Sequence, residues 1–210
     1  DLYVSNDFYS PDRLWINDGK GFFKSAAPEA LRRTSNFAMG MDFADINLDG
    51  HLDLFTADML SRRHDRRKTQ MGDMRPTPLS IGEIFNRPQI MQNTLSLNRG
   101  DGTFVEIAQF AGLKASEWSW SAAFMDVDLD GRWDLFAGSG DDTSAKGSLV
   151  RFDPISLKSI WSWSTNDNAS SADAVLADID DDGFVEVIKS VDNYAGDDPH
   201  DAIYAFETDG

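Results

Sequence analysis

Asp45-Ile46-Asn47-Leu48-Asp49-Gly50-His51-Leu52-Asp53 sets the reading of the whole chain, because it comes back twice. The copies are Asp126-Val127-Asp128-Leu129-Asp130-Gly131-Arg132-Trp133-Asp134 and Asp178-Ile179-Asp180-Asp181-Asp182-Gly183-Phe184-Val185-Glu186. The shared pattern is D-x-D/N-x-D-G-x-Φ-D/E, with Φ apolar, and its positions 1, 3, 5 and 9 hold eleven of the chain's 36 acidic residues. Carboxylates crowded this closely repel unless a cation joins them. Ca²⁺ suits the task, since it takes about 6–8 oxygen ligands in flexible geometry, whereas Mg²⁺ prefers few carboxylates and several waters. The candidate side-chain ligands are Asp45, Asn47, Asp49 and Asp53, then Asp126, Asp128, Asp130 and Asp134, then Asp178, Asp180, Asp182 and Glu186. His51, Arg132 and Phe184, at position 7, are expected to contribute backbone carbonyls, and the glycine at position 6 is expected at positive φ.

The flanks separate these loops from helix-flanked calcium loops. Such loops end in a bidentate Glu at position 12, where this chain has Thr56, Ala137 and Lys189. Short apolar, aromatic or β-branched runs stand on both sides, as in Leu52-Asp-Leu-Phe-Thr56, Trp133-Asp-Leu-Phe-Ala137 and Val185-Glu-Val-Ile-Lys189. Runs of this length bounded by turn residues read as strands. The loops therefore join strands, and a bound ion would pin a hairpin.

The opening Asp1-Leu-Tyr-Val matches Asp53-Leu-Phe-Thr and Asp134-Leu-Phe-Ala, so Asp1 reads as position 9 of a fourth loop, and a fourth calcium site is expected to be cut there. Position 9 then recurs at intervals of 52, 81 and 52 residues. A second hairpin recurs as well, in Leu14-Trp-Ile-Asn-Asp18-Gly and Leu95-Ser-Leu-Asn-Arg99-Gly, with Leu149-Val-Arg-Phe-Asp153-Pro in the same place of the third unit. Four short strands per period of about 50 residues make the pattern of a β-propeller blade. The expected fold is all-β, a β-propeller of four-stranded antiparallel blades with two complete units and two cut ones. The expected boundaries are a partial blade over 1–36, a blade over 37–110, a blade over 111–165 and a partial blade over 166–210. Since propellers close with about 4–8 blades, the chain reads as a slice of a larger ring whose remaining blades lie in a longer chain.

These residues resemble the FG-GAP/VCBS repeat, the calcium-bearing blade of integrin α-subunit propellers and of many secreted bacterial proteins. Residues 1–138 most resemble the ASPIC/UnbV-associated branch, which includes cartilage acidic protein, through Asp1-Leu-Tyr-Val-Ser-Asn-Asp, Asn98-Arg-Gly-Asp-Gly-Thr-Phe and Ser116-Glu-Trp-Ser-Trp. Residues 139–210 keep the calcium loop, but Asp153-Pro-Ile-Ser-Leu-Lys-Ser-Ile-Trp161 is closer to quinoprotein-like propellers or FG-GAP polysaccharide lyases. The resemblance implies a propeller and does not by itself imply an activity.

The longer middle interval comes from an insert at about 60–88. It carries seven Lys or Arg against three acids, in a chain whose net charge is −17. Its dense part, Arg62, Arg63, Arg66, Arg67 and Lys68, is a candidate contact for a protein or an acidic glycan; the plainer reading is a solvated excursion or one lying back on the protein. Arg99-Gly-Asp101 reads as an ordinary hairpin turn, because Asp18-Gly-Lys20 holds the equivalent place. The alternating Trp118 and Trp120, like Trp161 and Trp163, are expected between blades. Asn168-Ala-Ser170 spells a glycosylation sequon.

Composition narrows the functions. An acidic chain makes a poor nucleic-acid binder, and zero cysteines exclude disulfides and Cys-ligated zinc. No apolar run approaches the 18–20 or so residues that span a bilayer, so membrane insertion is not expected. No nucleophile, zinc or phosphate-loop motif stands out, and no catalytic residue is assigned. The expected function is an extracellular, calcium-stabilised binding or adhesion module. The alternative is the propeller portion of a secreted enzyme, a polysaccharide lyase or quinoprotein-like dehydrogenase.

Overall fold

The computed structural model describes the chain except for residues 8–9, 63, 71–87, 129, 140–147, 154–157, 165–169, 184, 193–201 and 207–210. The short apolar runs form strands that pair antiparallel with their neighbours in sequence. The first sheet takes β1 (Leu2–Val4), β2 (Arg13–Asn17) and β3 (Phe23–Ser25) in that order. After β4 (Thr34–Ser35), the second sheet opens with β5 (Gly40–Ala44) and β6 (Asp53–Ala57). A seven-residue helix, α1 (His64–Gln70), follows, then β7 (Gln89–Ile90), which pairs parallel with β4. The second sheet closes with β8 (Thr94–Asn98) and β9 (Phe104–Glu106), in the order β5-β6-β8-β9. The third sheet contains β10 (Ser119–Met125), β11 (Asp134–Ser139), β12 (Ser148–Asp153) and β13 (Lys158–Ser164). The fourth contains β14 (Ser170–Ala177), β15 (Glu186–Asp192) and β16 (Ala202–Phe206). The expected all-β class holds, and α1, which opens the basic insert, is a local addition to it.

Adjacent strand residues point to opposite faces, and the two residues after position 9 use this to glue the sheets together. Leu54 packs back on Tyr3 and Leu14 of the first sheet. Its neighbour Phe55 faces forward into a core with Leu95, Phe124, Leu135 and Val150. The third sheet repeats the scheme: Leu135 faces back, and Phe136 packs forward with Val187 of the fourth. Edge-on ring pairs reinforce two of the seams, Tyr3–Phe43 at 6.1 Å and Phe55–Phe124 at 6.4 Å between centroids. Each such side chain contributes about 1.5–3 kcal/mol by leaving water.

The innermost strands of the second and third sheets meet almost backbone to backbone. A Cβ on Gly40 would lie 2.8 Å from the Trp120 carbonyl oxygen and 2.9 Å from Ser121 Cα. Asp42 Oδ2 accepts the Phe124 N–H across the same seam at 2.8 Å. Trp118 joins a small cluster with Phe37 and Met59. Trp120 is half exposed, because the backbone of its own strand faces Gly40 and leaves its ring outside the seam. The side chains of Trp161 and Trp163 and the sequon at Asn168 lie outside the described residues.

Candidate metal centre

All three acidic loops sit where expected, between the first and second strands of a sheet. They share one internal wiring. The position-1 carboxylate receives the N–H groups of positions 5 and 6: Asp45 from Asp49 (2.9 Å) and Gly50 (2.7 Å), Asp126 from Asp130 (3.0 Å) and Gly131 (2.9 Å), Asp178 from Asp182 (3.2 Å) and Gly183 (3.0 Å). Gly50, Gly131 and Gly183 have φ of 86°, 82° and 93°, as the tight turn requires. Position 4 is left-handed as well, Leu48 at 58° and Asp181 at 62°. An L side chain adopts that conformation at a cost of about 1–3 kcal/mol, which a surrounding structure must hold in place. Sequence reasoning missed this strain, since Leu gives no hint of positive φ.

Position 9 does two things. Its carboxylate closes the loop by accepting the N–H of position 2, Ile46 to Asp53 Oδ2 at 3.2 Å and Ile179 to Glu186 Oε2 at 2.7 Å. It also ties its own strand to the next strand of the sheet. Asp53 Oδ1 accepts the Asn98 N–H at 2.7 Å, and Asp1 Oδ1 accepts the Asn17 N–H at 2.8 Å. The same bond at Asp1 and Asp53 gives these two residues the same structural place. Both Asp53 oxygens are thereby engaged. Burial pushes the Asp53 carboxyl above its ordinary value, the N–H groups of Asn98 and Ile46 pull it back, and the charges of Asp49 and Asp45 push it up again. A divalent cation in the loop would reverse the last of these effects.

The loops differ in what they offer a metal. In the third, Asp178, Asp180 and Glu186 each present an oxygen within 4.8 Å of the others. Glu186 is 2% exposed, and its Oε1 is buried with no hydrogen-bond partner among the described residues. A buried carboxylate oxygen left unsatisfied is costly, and a cation bound by Asp178 and Asp180 would satisfy it. The third loop thus fits a metal, with Asp182 beside it; Phe184 lies outside the described residues. In the second loop Asp126, Asp128 and Asp130 form an equally tight group, but Arg151 reaches into it. Its Nη2 lies 2.6 Å from Asp128 Oδ2 and 2.7 Å from Asp134 Oδ2. Burial pushes the Asp134 carboxyl up, and the Arg151 guanidinium opposes it. In the first loop Asn47 takes the place of a third close acid, and its amide donates to Asp49 Oδ2 at 3.0 Å. His51 and Arg132, the position-7 residues, each turn their N–H to the position-5 carboxylate at 2.9 Å.

A family model described as FG-GAP-like repeat matches residues 1–56 and 83–137, more than half of the chain. The chain belongs to the FG-GAP-like repeat family. The matched FG-GAP segments take in the first and second acidic loops, while the third loop and most of the basic insert lie outside them. The all-β architecture and the FG-GAP-like repeats fit a β-propeller. A comparison with curated proteins finds no match.

Two described arginines of the FG-GAP chain's insert bond to the protein's own backbone. Arg62 Nε donates to the Ala115 carbonyl at 2.8 Å, and the Arg62 N–H donates to Glu117 Oε1 at 3.2 Å. Arg67 Nε donates to the Ser61 carbonyl, and its Nη2 to the Arg62 carbonyl at 3.3 Å. Lys68 stands exposed on α1. Arg63 and the side chain of Arg66 lie outside the described residues. The Arg99-Gly-Asp101 turn is an ordinary hairpin: Arg99 N–H donates to the Thr103 carbonyl at 3.0 Å as Asp18 N–H does to Phe22 at 2.9 Å.

A separate buried network holds the opposite end of the second sheet. Asp58 Oδ2 accepts Ser35 Oγ (2.5 Å) and the N–H groups of Asn36 and Phe37 (both 3.1 Å), and its own N–H donates to Asn93 Oδ1 at 2.8 Å. Asn93 continues to the Leu113 carbonyl and to Ser116 Oγ. Asp58 and Asn93 carried no sequence signal, since neither belongs to a repeated motif.

Proposed function

We propose that the chain is part of an extracellular, calcium-stabilised β-propeller that binds a protein or an acidic glycan, nearest to the ASPIC/UnbV-associated branch of its family. The observation that carries this reading is the buried, unpartnered Glu186 Oε1 beside Asp178 and Asp180. An oxygen-only site of this kind takes a hard cation that accepts many carboxylates, which is Ca²⁺. The ion's role is structural: it holds a strained turn closed and joins carboxylates that otherwise repel. Calcium modules outside cells bind at about 10⁻⁴–10⁻³ M, so such loops fill in extracellular fluid and stay empty in cytosol. No helix among the described residues is long and apolar enough to cross a membrane.

The propeller reading extends the four stacked sheets into a ring. Leu2 and Val4 on the first sheet and Val175 and Ile203 on the fourth are exposed apolar residues on outer sheet faces. Further blades covering them would bury what the inner seams already bury.

Thermal melting tests the calcium role. EDTA lowers the melting temperature and millimolar Ca²⁺ restores it, because an ion that binds only the folded state stabilises it by mass action. Equimolar Mg²⁺ restores much less. A melting curve that EDTA leaves unchanged sinks the proposal.

A further inference from the structure

Tyr3 pairs with Leu14, Phe55 with Leu95, Phe136 with Arg151 and Ile188 with Ala205, each between the strand that follows position 9 and the next strand of its sheet. Leu14, Leu95 and Arg151 therefore hold one structural place. Leu14 and Leu95 are buried members of apolar seams. Arg151 is buried too, at 4% exposure, although it carries a charge. A buried arginine at a leucine position needs a partner to hold it there, and Asp128 and Asp134 of its own sheet's acidic loop serve.

The sequence explains why the third sheet needs it. Three residues beyond Leu14 and Leu95 stand Asn17 and Asn98, whose N–H groups tie Asp1 and Asp53 to the next strand of the sheet. Three residues beyond Arg151 stands Pro154, and proline has no N–H to give. The position-9 carboxylate of this sheet has instead the guanidinium, whose Nη2 spans positions 3 and 9 of the loop together.

We infer that Arg151 is the built-in cation of the Asp126–Asp134 loop, standing where Ca²⁺ stands in its sister loops and leaving this loop closed without metal. A divalent ion held by the same carboxylates would sit against a fixed like charge, on a guanidinium whose side chain is itself buried. The close grouping of Asp126, Asp128 and Asp130 is then explained by the arginine that neutralises part of it. This inference rests on the calcium reading above and divides the three loops into two kinds.

The test counts calcium on the full chain, stripped of metal and titrated with Ca²⁺ by equilibrium dialysis. Asp126→Asn leaves the number of bound ions unchanged, whereas Asp178→Asn lowers it by one. Arg151→Leu, the residue found at the sister positions, frees the carboxylates and raises the number by one, and adding Asp126→Asn to it removes the gained ion. If Asp126→Asn alone lowers the count by one, the second loop is an ordinary calcium site and the inference falls, with the calcium reading intact. If the unaltered chain takes up no calcium, the calcium reading itself falls and this inference with it. The Asp126→Asn arm decides the matter even where Arg151→Leu does not fold.

Discussion

Asp58 is wholly buried, and both of its oxygens accept hydrogen bonds: Oδ2 from Ser35, Asn36 and Phe37, and Oδ1 from the Met59 N–H at 2.6 Å. Asp58→Asn keeps the shape but turns an amide N–H₂ toward a donor. It should cost about 1–3 kcal/mol, the penalty of a buried donor without an acceptor, and the denaturant midpoint measures it. Burial holds the Asp58 carboxyl above its ordinary 3.8, although Ser35 and the backbone N–H groups pull it down. The folded state therefore takes up this proton before the unfolded state does. By linkage the contribution of Asp58 to stability grows as pH falls through its raised native value, and the gain persists below 3.8. The stability gap between the unaltered chain and Asp58→Asn should widen as pH is lowered from neutrality. A gap that narrows or stays constant would contradict the assignment of this proton.

Among the elements, β5 and β10 make the tightest seam, and Gly40 makes it possible. Gly40→Ala brings a methyl carbon within 3 Å of backbone atoms of Trp120 and Ser121, which cannot swing aside as a side chain can. The strands must part, loosening the Phe55–Phe124 ring contact behind them. A cost of about 1–3 kcal/mol is expected for overpacking of this kind. A melting temperature equal to that of the unaltered chain would show that the seam yields freely. The strands themselves were legible in the sequence because each is bracketed by a motif with a fixed chemical demand: an acidic loop on one side, a turn dipeptide on the other. Gly40 was not legible, because the approach of another sheet leaves no trace in local spacing. The same holds for position 9 and for Arg151. The repeat identifies Asp53, Asp134 and Glu186 as equivalent, yet whether each spends its oxygens on an N–H, an arginine or nothing depends on the third strand of the sheet. Residues 45 to 98 in the chain order fix that outcome for Asp53 only once β8 is in register.

At the scale of the molecule, the two charged features leave β6 at opposite ends. The first acidic loop precedes Asp53, and the basic insert follows the strand at Asp58 and Ser61. Arg62 and Arg67 are committed to carbonyls of the protein itself, so they shape the platform on which α1 stands. Contact with an acidic glycan would fall to Lys68 with Arg63 and Arg66. Replacing these three with Ser should weaken binding to a sulfated polysaccharide by tenfold or so, the scale of about 1.4 kcal/mol, with the loss vanishing at high salt. Arg62→Ser should instead lower stability. Equal binding before and after the triple change, measured at low salt, would remove the glycan from consideration.

Among the described residues, each of the four antiparallel sheets takes its strands in chain order, laid side by side. That has a mechanical consequence. Tension applied along the chain would peel the hairpins one strand at a time and would not shear whole strands past one another, so each sheet yields at modest load. A released period of 52 residues would lengthen the tether by roughly 180 Å at about 3.5 Å per residue. The acidic loops are the turns that join the first two strands of three of these sheets, so peeling those strands apart ends at such a loop. On the proposed calcium reading, an ion in the third loop would be a latch that the calcium level sets, and Arg151 would be a latch in the second loop that it does not.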